Sequence, residues 1–367
     1  MSGCFAVIAG GGTAGHVYPG LAAAKALVAK GYHRNAILYV GSDRGIEQDL
    51  IPPEGFELVT LSGEGIPRRH PLLALRAILL LLRGTVQAFR LLRKRKPKVV
   101  LALGGFACFP CAISAAILRI PVVVHEQNAV AGLANKVISR WASHSAVSYE
   151  ETPLKNAVHT GNPVRQEILD ARNVDPLSAR EKLKIPKQNI LFVVTGGSLG
   201  AYRINIALRD AVPHLEGISD ITIYHVVGRR DWKEVSAFKE NLQEFVDYRP
   251  IEYEYDMPSV LRAADLVISR AGGSITAEIF ALGLPSILVP LPNAPGDHQT
   301  ANANSMVNSG SARLITDGNC DGSSLSRLII DLIENPEELQ KMRQEAQKNV
   351  QKNAAESLVK VLEKVAL

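Results

Sequence analysis

The stretch Phe5–His16, FAVIAGGGTAGH, sets the fold class of this chain. An apolar run ends there in a glycine-rich turn, and a segment of helical character follows at Ala22–Lys30. A buried parallel strand followed by a tight turn and a helix has this pattern, because glycines permit the turn and let a ligand approach the backbone. The N–H groups at a helix start also attract a bound anion. These residues therefore predict a Rossmann-like unit with a ligand-binding loop at Gly10–His16.

The same strand–turn–helix rhythm continues along the chain and then restarts. In the first series, helical stretches near Leu72–Leu92 and Ala112–Leu118 alternate with apolar strands. These strands are Ile37–Val40, Glu57–Leu61, Val99–Leu103 and Val122–Val124. The second series has a helix at Tyr202–Ala211. Its strands are Ile190–Val194, Ile221–Val227, Leu266–Ser269 and Ile287–Val289. Uninterrupted apolar strands joined by helices form parallel sheets covered on both faces. We predict an α/β protein with two Rossmann-like parallel-sheet domains that face a central cleft.

The length of 367 residues fits two domains, and Gly161–Val164 closes the first series. We expect a first domain at residues 1–163 and a second domain at residues 164–345. A polar helical stretch, Arg165–Lys187, would lead into the second series. The tail at residues 346–367 is expected to form a helix that crosses back to the first domain.

The composition indicates a globular protein with unevenly distributed charge. Apolar residues make up 47% and charged residues 21%, which excludes wholesale disorder. Residues 1–163 carry 18 Lys and Arg against 9 Asp and Glu, a net charge of +9, and the remainder carries 23 against 27, a net charge of −4. The total of +5 is too weak to indicate a nucleic-acid-binding protein. The basic first half instead suggests contact with an anionic surface.

Four cysteines in a chain of this length argue against a disulfide framework and favour a reducing compartment. Cys108 and Cys111 form a CxxC pair without a second pair or a suitably spaced histidine, so we interpret them as small buried residues at a helix start. The first ten residues lack the features of a signal peptide. No apolar run reaches the roughly 18–20 residues that span a bilayer. We expect a cytoplasmic chain that can lie on a membrane.

Glycine turns and polar clusters follow predicted strands in both halves. They are Gly10–Gly15, Gly104–Phe106, His125–Asn128, Gly196–Ala201, Arg270–Ser274 and Asp297–Asn302. The carboxyl ends of parallel strands share one edge of a sheet, where ligands bind. Four hydrogen-bonding side chains at His125–Asn128 also need a ligand or a tight network if they are buried. The pattern predicts a ligand in the crevice between the two halves.

Together these motifs resemble the MurG family of peptidoglycan N-acetylglucosaminyltransferases, which have the GT-B architecture. The resemblance runs from residue 5 to the last helix. It rests on Gly11–His16, His125–Asn128, Gly161–Arg165, Gly196–Ala201, Arg270–Glu278 and Asp297–Asn302. It implies transfer of N-acetylglucosamine from UDP-GlcNAc to the C4 hydroxyl of the muramyl sugar of lipid I, undecaprenyl-pyrophosphoryl-MurNAc-pentapeptide. The transfer would invert the anomeric carbon and give lipid II, with no cofactor.

The resemblance implies a donor site in the second domain. Ser198 would face the pyrophosphate, Arg165 would lie near the donor, and Glu278 would hold the ribose hydroxyls. Backbone contacts beside the diphosphate would come from Gly273, Ser274, Ile275 and Thr276. The sugar hydroxyls would be bound by Gln299 with His298, and Asn302 would be a further substrate-binding residue.

The resemblance also implies donor contacts from the first domain and at the uracil. In the first domain, the residues that would close over the donor are Thr13, Ala14, Gly15 and Asn128. The backbone contact of the family near the uracil falls at Glu254, which is an unusual side chain at that position.

The implied reaction needs a general base for the attacking hydroxyl, and His16 is the first candidate. A helix N-terminus disfavours the imidazolium, so the ring stays able to accept a proton. Glu126 and His125 are the reserve candidates. Helix N-termini can stabilise a leaving diphosphate without a metal. The sequence also lacks an Asp-x-Asp pair that could hold a diphosphate-bound divalent ion, so no metal is expected.

A basic, leucine-rich segment lies in the first domain. Arg76, Arg83 and Arg90 recur every seven residues beside Leu79 and Leu80. A basic cluster follows at Arg93, Lys94, Arg95 and Lys96. Excess apolar surface with cationic flanks suits an anionic bilayer. A core helix with a solvated arginine stripe would have the same pattern. Because the implied acceptor is polyprenyl-linked, we expect a peripheral position on the cytoplasmic face of the inner membrane.

Two other enzyme interpretations stay open. Another GT-B glycosyltransferase, with a different nucleotide-sugar or lipid acceptor, would share these motifs. An NAD-dependent dehydrogenase would use Gly10, Gly12 and Gly15 as a dinucleotide loop with Asp43 after the second strand. That interpretation leaves His125–Asn128 unexplained. Other proteins of cell-wall synthesis are candidate partners.

Overall fold

The computed structural model describes residues 3–43, 45–62, 71–197, 200–243, 246–350 and 353–367. The chain forms two compact units. Unit 1 comprises Met1–Arg165 together with Asn353–Leu367, and unit 2 comprises Gln166–Lys352. Each unit contains one parallel sheet with helices, so the predicted α/β class with two Rossmann-like sheets is confirmed.

The sheet of unit 1 has seven strands in the described residues, and every pairing is parallel. They are β1 (Ala6–Gly10), β2 (Ile37–Ser42), β3 (Glu57–Leu61), β4 (Val99–Gly104), β5 (Val122–Glu126), β6 (His144–Val147) and β7 (Ala157–His159). Their order is β3-β2-β1-β4-β5-β6-β7. The strand order therefore reverses between β1 and β4, and ligands bind open α/β sheets at the carboxyl ends of strands beside such a reversal.

Helices cover both faces of this sheet. They include α1 (Ala14–Ala29), α2 (Glu47–Leu50), α3 (Pro71–Arg95), α4 (Cys108–Ile117) and α5 (Leu133–Ile138). Successive strand side chains point to opposite faces. Ile8 and Leu101 pack in the core layer that contains α1, and Val7 and Val100 pack in the layer that contains α3 and α4. All four are fully buried, which explains why these strands are apolar throughout.

The sheet of unit 2 has six strands in the described residues, again all parallel. They are β8 (Ile190–Thr195), β9 (Ile221–Val226), β10 (Asp247–Ile251), β11 (Leu266–Ser269), β12 (Ser286–Leu288) and β13 (Ala312–Leu314). Their order is β10-β9-β8-β11-β12-β13, so the reversal lies between β8 and β11.

The helices of unit 2 pack around a core that includes Phe192, Tyr248 and Ile268. They are α6 (Gln166–Ala171), α7 (Pro176–Lys182), α8 (Tyr202–Ala211), α9 (Trp232–Ser236), α10 (Lys239–Gln243), α11 (Met257–Ala263), α12 (Gly273–Leu282), α13 (His298–Asn308), α14 (Gly322–Glu334) and α15 (Pro336–Lys348).

The last helix, α16 (Ala354–Ala366), belongs to unit 1 and packs against α1. Its Leu358 and Leu362 are fully buried in the core layer that contains Leu27. Its Glu363 accepts a hydrogen bond from Lys30 Nζ at 2.5 Å. Of the helices in the described part of the chain, none has both the length and the apolar character needed to cross a bilayer.

Several elements differ from the sequence prediction. The short strands β6, β7, β10 and β13 are absent from it, and β10 shows why: Arg249 and Pro250 interrupt its apolar pattern at a sheet edge, where proline is tolerated. The stretch Arg165–Lys187 forms two helices because Asp175 caps α7, accepting a hydrogen bond from the Ser178 N–H at 3.0 Å.

The CxxC pair is part of the core. Cys108 and Cys111 are fully buried, free thiols in the first turn of α4. Burial raises the pKa of the Cys108 thiol to about 12, so this thiol stays protonated at neutral pH. The pair therefore has the environment of packed apolar residues.

Candidate active site

The carboxyl ends of β1 and β4 are neighbours in unit 1, and the loops that follow them touch. A Cβ on Gly105 would lie 2.4 Å from the Gly11 carbonyl oxygen. Gly104 has a φ of +105°, and a Cβ there would lie 2.9 Å from Nε2 of His16. Glycine at position 104 thus permits the backbone conformation and leaves room for the His16 imidazole.

His16 lies in the first turn of α1, and its ring is oriented by the glycine loop. Its Nδ1 lies 3.0 Å from the Gly11 carbonyl oxygen and 3.3 Å from the Thr13 hydroxyl. Because a carbonyl oxygen can only accept, Nδ1 carries the proton. In the neutral ring, Nε2 is then the nitrogen that can accept a proton.

Glu126 forms the centre of a buried network at the end of β5. Its Oε1 accepts hydrogen bonds from the backbone and side-chain N–H groups of Asn128 at 3.1 and 3.2 Å. Its Oε2 accepts from the Gly132 N–H at 3.0 Å and from Asn135 Nδ2 at 2.8 Å. This carboxylate is 2% exposed and shapes the loop that carries Asn128.

His125 and Gln127 are enclosed in the same region. His125 Nε2 lies 3.2 Å from the Gly161 carbonyl oxygen, and Gln127 Nε2 lies 3.1 Å from His125 Nδ1. Burial lowers the pKa of His125 to about 4, so its ring is neutral at pH 7. Both side chains are therefore enclosed in hydrogen-bond networks, and their role as reserve general bases stays a prediction.

Three of the remaining predicted unit 1 residues, Thr13, Ala14 and Gly15, directly precede His16 in the chain. Thr13 precedes α1, and Ala14 and Gly15 open it. Arg165 is the last residue of the first segment of unit 1, and its guanidinium carbon lies 4.9 Å from the Tyr18 ring centroid. The predicted second-domain residue Arg165 therefore packs on α1.

In unit 2, the start of α12 follows β11 at the strand reversal. Gly272 is its N-cap residue, and Gly273, Ser274 and Ile275 form the first turn. An α-helix leaves the N–H groups of its first turn outside its own hydrogen-bond ladder, where they favour an anion. Among the described residues, the buried Ser274 hydroxyl has no hydrogen-bond partner.

Two further predicted residues are buried within α12. The Thr276 hydroxyl donates to the Gly272 carbonyl oxygen at 2.9 Å, which steadies the helix start. Glu278 is 8% exposed and lies two residues further along the helix.

The start of α13 packs beside α12. Asn302 is fully buried, and its Nδ2 donates to the Ala271 carbonyl oxygen at 3.0 Å. Gln299 Oε1 accepts a hydrogen bond from the Leu291 N–H at 2.9 Å. The Nε2 of Gln299 would lie 3.9 Å from a Cβ on Gly272. The structure therefore brings the Asp297–Asn302 motif to the helix start at Gly272.

Glu254 and His298 both have hydrogen-bond partners within the chain. Glu254 Oε2 accepts from the Tyr224 hydroxyl at 2.7 Å, and its Oε1 accepts from the Asp256 N–H at 2.6 Å. Both carboxylate oxygens of Glu254 therefore bind donors of the protein itself. Ser198 lies outside the described residues. His298 Nδ1 lies 2.9 Å from the Pro295 carbonyl oxygen.

A second buried network lies behind the glycine loop that follows β8. His225 Nε2 donates to Asn205 Oδ1 at 3.0 Å, and the Tyr248 hydroxyl donates to His225 Nδ1 at 2.8 Å. Asn205 Nδ2 donates to Asp231 Oδ2 at 2.9 Å, and a Cβ on Gly200 would lie 3.2 Å from that oxygen. Burial lowers the pKa of His225 to about 3.

The two buried histidines predict a loss of stability in mild acid. A histidine that titrates near 6.5 when unfolded, but at about 4 (His125) or about 3 (His225) when folded, binds more protons in the unfolded state below pH 6.5. The contribution of each histidine to the free energy of unfolding is therefore fully present above pH 6.5. It is lost as the pH falls from 6.5 toward the folded-state pKa. Between pH 7.5 and pH 5, we expect the free energy of unfolding to fall by about 1–2 kcal/mol for each histidine. Urea denaturation at both pH values measures this.

Trp141 in unit 1 and Trp232 in unit 2 are the two tryptophans of the chain, so fluorescence can follow each unit separately. In a Trp141→Phe background, His225→Gln should remove part of the acid-dependent loss from the Trp232 signal. The exposed His214 supplies the control, because His214→Gln should keep the whole loss. An unchanged pH dependence in His225→Gln would contradict the assignment.

The predicted membrane residues lie on α3. Leu79 and Leu82 are each 59% exposed and Val86 is 49% exposed, whereas Leu80 is half-buried. The exposed cations of this segment are Arg83, Arg90, Arg93, Lys94 and Lys96. Arg95 differs from the prediction because it pairs with Glu57 of β3. The side chain of Arg76 lies outside the described residues.

Sequence reasoning missed Glu47, which is fully buried and accepts a hydrogen bond from the Gly12 N–H at 3.0 Å. The sequence signal was a pair of glycines around this acid, Gly41 within β2 and Gly45 just after it. The dinucleotide-binding pattern instead predicted a role for Asp43, which is exposed.

Comparison with known proteins identifies the family. A sequence model of the glycosyltransferase family 28 N-terminal domain matches residues 6–147, and one of the C-terminal domain matches residues 191–358. This chain belongs to glycosyltransferase family 28. Its family membership makes it a glycosyltransferase and removes the NAD-dependent dehydrogenase interpretation.

Relatives in family 28 match nearly the whole chain. A protein of Carboxydothermus hydrogenoformans is 38% identical over 97% of this chain and 96% of its own length. One of Desulforamulus reducens is 35% identical over 98% of both chains. Both are named UDP-N-acetylglucosamine–N-acetylmuramyl-(pentapeptide) pyrophosphoryl-undecaprenol N-acetylglucosamine transferase.

Solved structures give the same picture of the fold. Acinetobacter baumannii MurG matches with a TM-score of 0.80 at 27% identity and covers 98% of this chain and 99% of its own. The UDP-GlcNAc 2-epimerase of Neisseria meningitidis, at 15% identity, matches with a TM-score of 0.67 over 98% of this chain and 99% of its own. At that identity the epimerase supports the fold alone.

Proposed function

We propose that this chain transfers N-acetylglucosamine from UDP-GlcNAc to the C4 hydroxyl of the muramyl sugar of undecaprenyl-pyrophosphoryl-MurNAc-pentapeptide. The product is lipid II, for peptidoglycan synthesis. The observation that carries this proposal is the 38% identity, over 97% of the chain, to a relative named as that transferase. The His16 imidazole in the first turn of α1 and the N-terminus of α12 suit the base and the anion site that the reaction needs.

In the proposed chemistry, His16 is the general base. The oxygen of the C4 hydroxyl attacks the anomeric carbon of the donor, and the bond from that carbon to the diphosphate oxygen breaks with its electron pair. The hydroxyl proton passes to Nε2 of His16, because Nδ1 already donates to the Gly11 carbonyl oxygen. A single displacement converts the α-linked donor into a β-linked product.

Donor binding is assigned to unit 2. The backbone N–H groups of Gly273, Ser274 and Ile275 at the start of α12 suit the diphosphate, and the helix dipole stabilises the negative charge that develops as UDP leaves. Glu278 would accept hydrogen bonds from the ribose hydroxyls. Gln299 would bind the sugar from the start of α13.

A turnover assay with a short-chain analogue of lipid I and radiolabelled UDP-GlcNAc tests the proposed function. We expect label in the lipid product, and we expect UDP-GlcNAc but not NAD to raise Tm. Transfer from UDP-glucose or UDP-GalNAc, without transfer from UDP-GlcNAc, would instead indicate another GT-B transferase.

A peripheral position on the cytoplasmic face of the inner membrane is the second part of the proposal. The exposed Leu79, Leu82 and Val86 of α3 form apolar surface among exposed arginines and lysines. Such a surface suits the boundary of an anionic bilayer, and the polyprenyl-linked acceptor requires access to one.

Charge reversal on α3 should release the protein from anionic vesicles. Each cation near such a surface contributes about 1 kcal/mol, so the triple variant Arg93→Glu, Lys94→Glu, Lys96→Glu should bind at least about 100-fold more weakly. Sedimentation with phosphatidylglycerol-containing vesicles measures the partition coefficient, and added salt should weaken wild-type binding.

The matched control reverses three exposed lysines of unit 2, Lys187, Lys233 and Lys341, and so makes the same change in net charge. Vesicle binding should persist in this control. Equal loss in both triple variants would show an effect of net charge alone and would refute the role of α3.

A further inference from the structure

The peptide group between Gly11 and Gly12 is hydrogen-bonded on both sides. Its N–H, from Gly12, donates to Glu47 Oε2 at 3.0 Å. Its carbonyl, from Gly11, accepts from His16 Nδ1 at 3.0 Å. Because the peptide bond is trans, the N–H and the carbonyl point in opposite directions. A buried carboxylate and the candidate base therefore hold one peptide plane from its two sides.

The surroundings of Glu47 form a pocket that is shaped for its carboxylate. The residue is 0% exposed, and its Oε1 accepts a hydrogen bond from the Ser42 N–H at 2.9 Å. A Cβ on Gly11 would lie 1.9 Å from Oε1, and a Cβ on Gly45 would lie 1.8 Å from Oε2. Glycines therefore leave space for this carboxylate beneath the loop that carries His16.

We propose that Glu47 is a positioning residue that acts on His16 through the Gly11–Gly12 peptide group. This inference rests on the proposed role of His16 as the general base. A carboxylate that accepts from an amide N–H polarises the amide, so its carbonyl oxygen becomes a stronger acceptor. The stronger acceptor holds the proton on Nδ1 of His16 and keeps Nε2 available to the substrate hydroxyl.

The arrangement serves the same purpose as a direct carboxylate–imidazole pair, which holds the tautomer and orientation of a catalytic histidine. Here a peptide group is interposed between the two. Tyr39 of β2 also interacts electrostatically with Glu47, and His125 of β5 with His16. Burial raises the pKa of Tyr39 and lowers that of His125 to about 4, so both side chains are neutral at pH 7. Neither can therefore supply the negative charge of the Glu47 carboxylate.

The test compares Glu47→Gln with Asp49→Asn, an exposed acid of the same helix α2. Glutamine keeps the size of the side chain and one acceptor oxygen but removes the second. We expect Glu47→Gln to lower kcat by about 10- to 100-fold, because the base is no longer held in its reactive geometry. The KM for UDP-GlcNAc should stay within about two-fold, because donor binding is assigned elsewhere. Asp49→Asn should keep the wild-type kcat.

Nitrogen NMR of ¹⁵N-histidine-labelled protein gives a readout that does not depend on turnover. In the wild type at pH 8, His16 should carry its proton on Nδ1, and Glu47→Gln should shift the ring toward the Nε2–H tautomer. An Nε2–H tautomer in the wild type would overturn the inference even if the variant did not fold. A folded Glu47→Gln protein with wild-type kcat and tautomer would overturn it too.

The two proposals can fail separately. If His16→Ala kept its kcat, the general-base assignment would fail, and with it the catalytic reason for Glu47. If His16→Ala were inactive while Glu47→Gln retained full kcat, the proposed function would stand and only the role of Glu47 would be refuted.

Discussion

His16→Ala is expected to lower kcat by about 10²–10⁴-fold, the contribution of a positioned general base. Nε2 of His16 is the nitrogen that can accept the hydroxyl proton, since Nδ1 is held by the Gly11 carbonyl oxygen. The KM for UDP-GlcNAc should change little, because the loss lies in the transition state. Steady-state kinetics with the lipid I analogue, together with UDP-GlcNAc-induced thermal shifts, measure both effects.

His214→Ala is the matched control, since His214 is an exposed histidine of unit 2. It should keep the wild-type kcat. A near-normal kcat in His16→Ala would remove His16 from the mechanism. The reserve candidates His125 and Glu126, both enclosed in hydrogen-bond networks, would then be the next residues to substitute.

Gly104→Ala should reduce kcat by about 10²-fold, although the substitution adds only one methyl group. The Cβ would lie 2.9 Å from Nε2 of His16 and 3.1 Å from its Cδ2, so the imidazole must move away. Alanine at a φ of +105° also strains the backbone, which should lower the free energy of unfolding by about 1–2 kcal/mol. Kinetics and urea denaturation separate the two effects.

Gly31→Ala separates backbone strain from the collision with His16. Gly31 has a similar φ of +99°, and a Cβ there would have no atom within 4 Å. This variant should lose similar stability but retain its kcat. If Gly104→Ala and Gly31→Ala retained equal activity, the imidazole would not depend on the space that Gly104 leaves.

Much of the fold followed from local pattern. The buried strands β1, β4 and β8 were predicted within a residue or two, because a strand covered on both faces is apolar along nearly its whole length. The half-exposed edge strand β10 was not, because its burial alternates and Arg249 breaks the apolar run. Strand order also came only from the structure, since sequence spacing does not specify which strands pair.

The candidate site was likewise predicted only in part from the sequence. The loops that carry His16, Asn128 and Gly273 were predicted, because glycine turns and polar residues after apolar strands mark the carboxyl edge of a parallel sheet. The structural tasks of Glu126 and Glu254 were not, because an acidic residue looks the same in sequence whether its oxygens face a ligand or bind its own backbone.

Local sequence patterns were therefore sufficient for the two Rossmann-like sheets, the glycine loops and the basic helix, since each depends on residues close together in the chain. The orientation of His16 depends on residues far from it. Glu47 reaches the Gly12 N–H across 35 positions, and Gly104 makes room for the imidazole from a separate strand. Only folding brings these groups to hydrogen-bond distance, because the parallel sheet aligns the ends of strands that long crossovers keep apart in sequence.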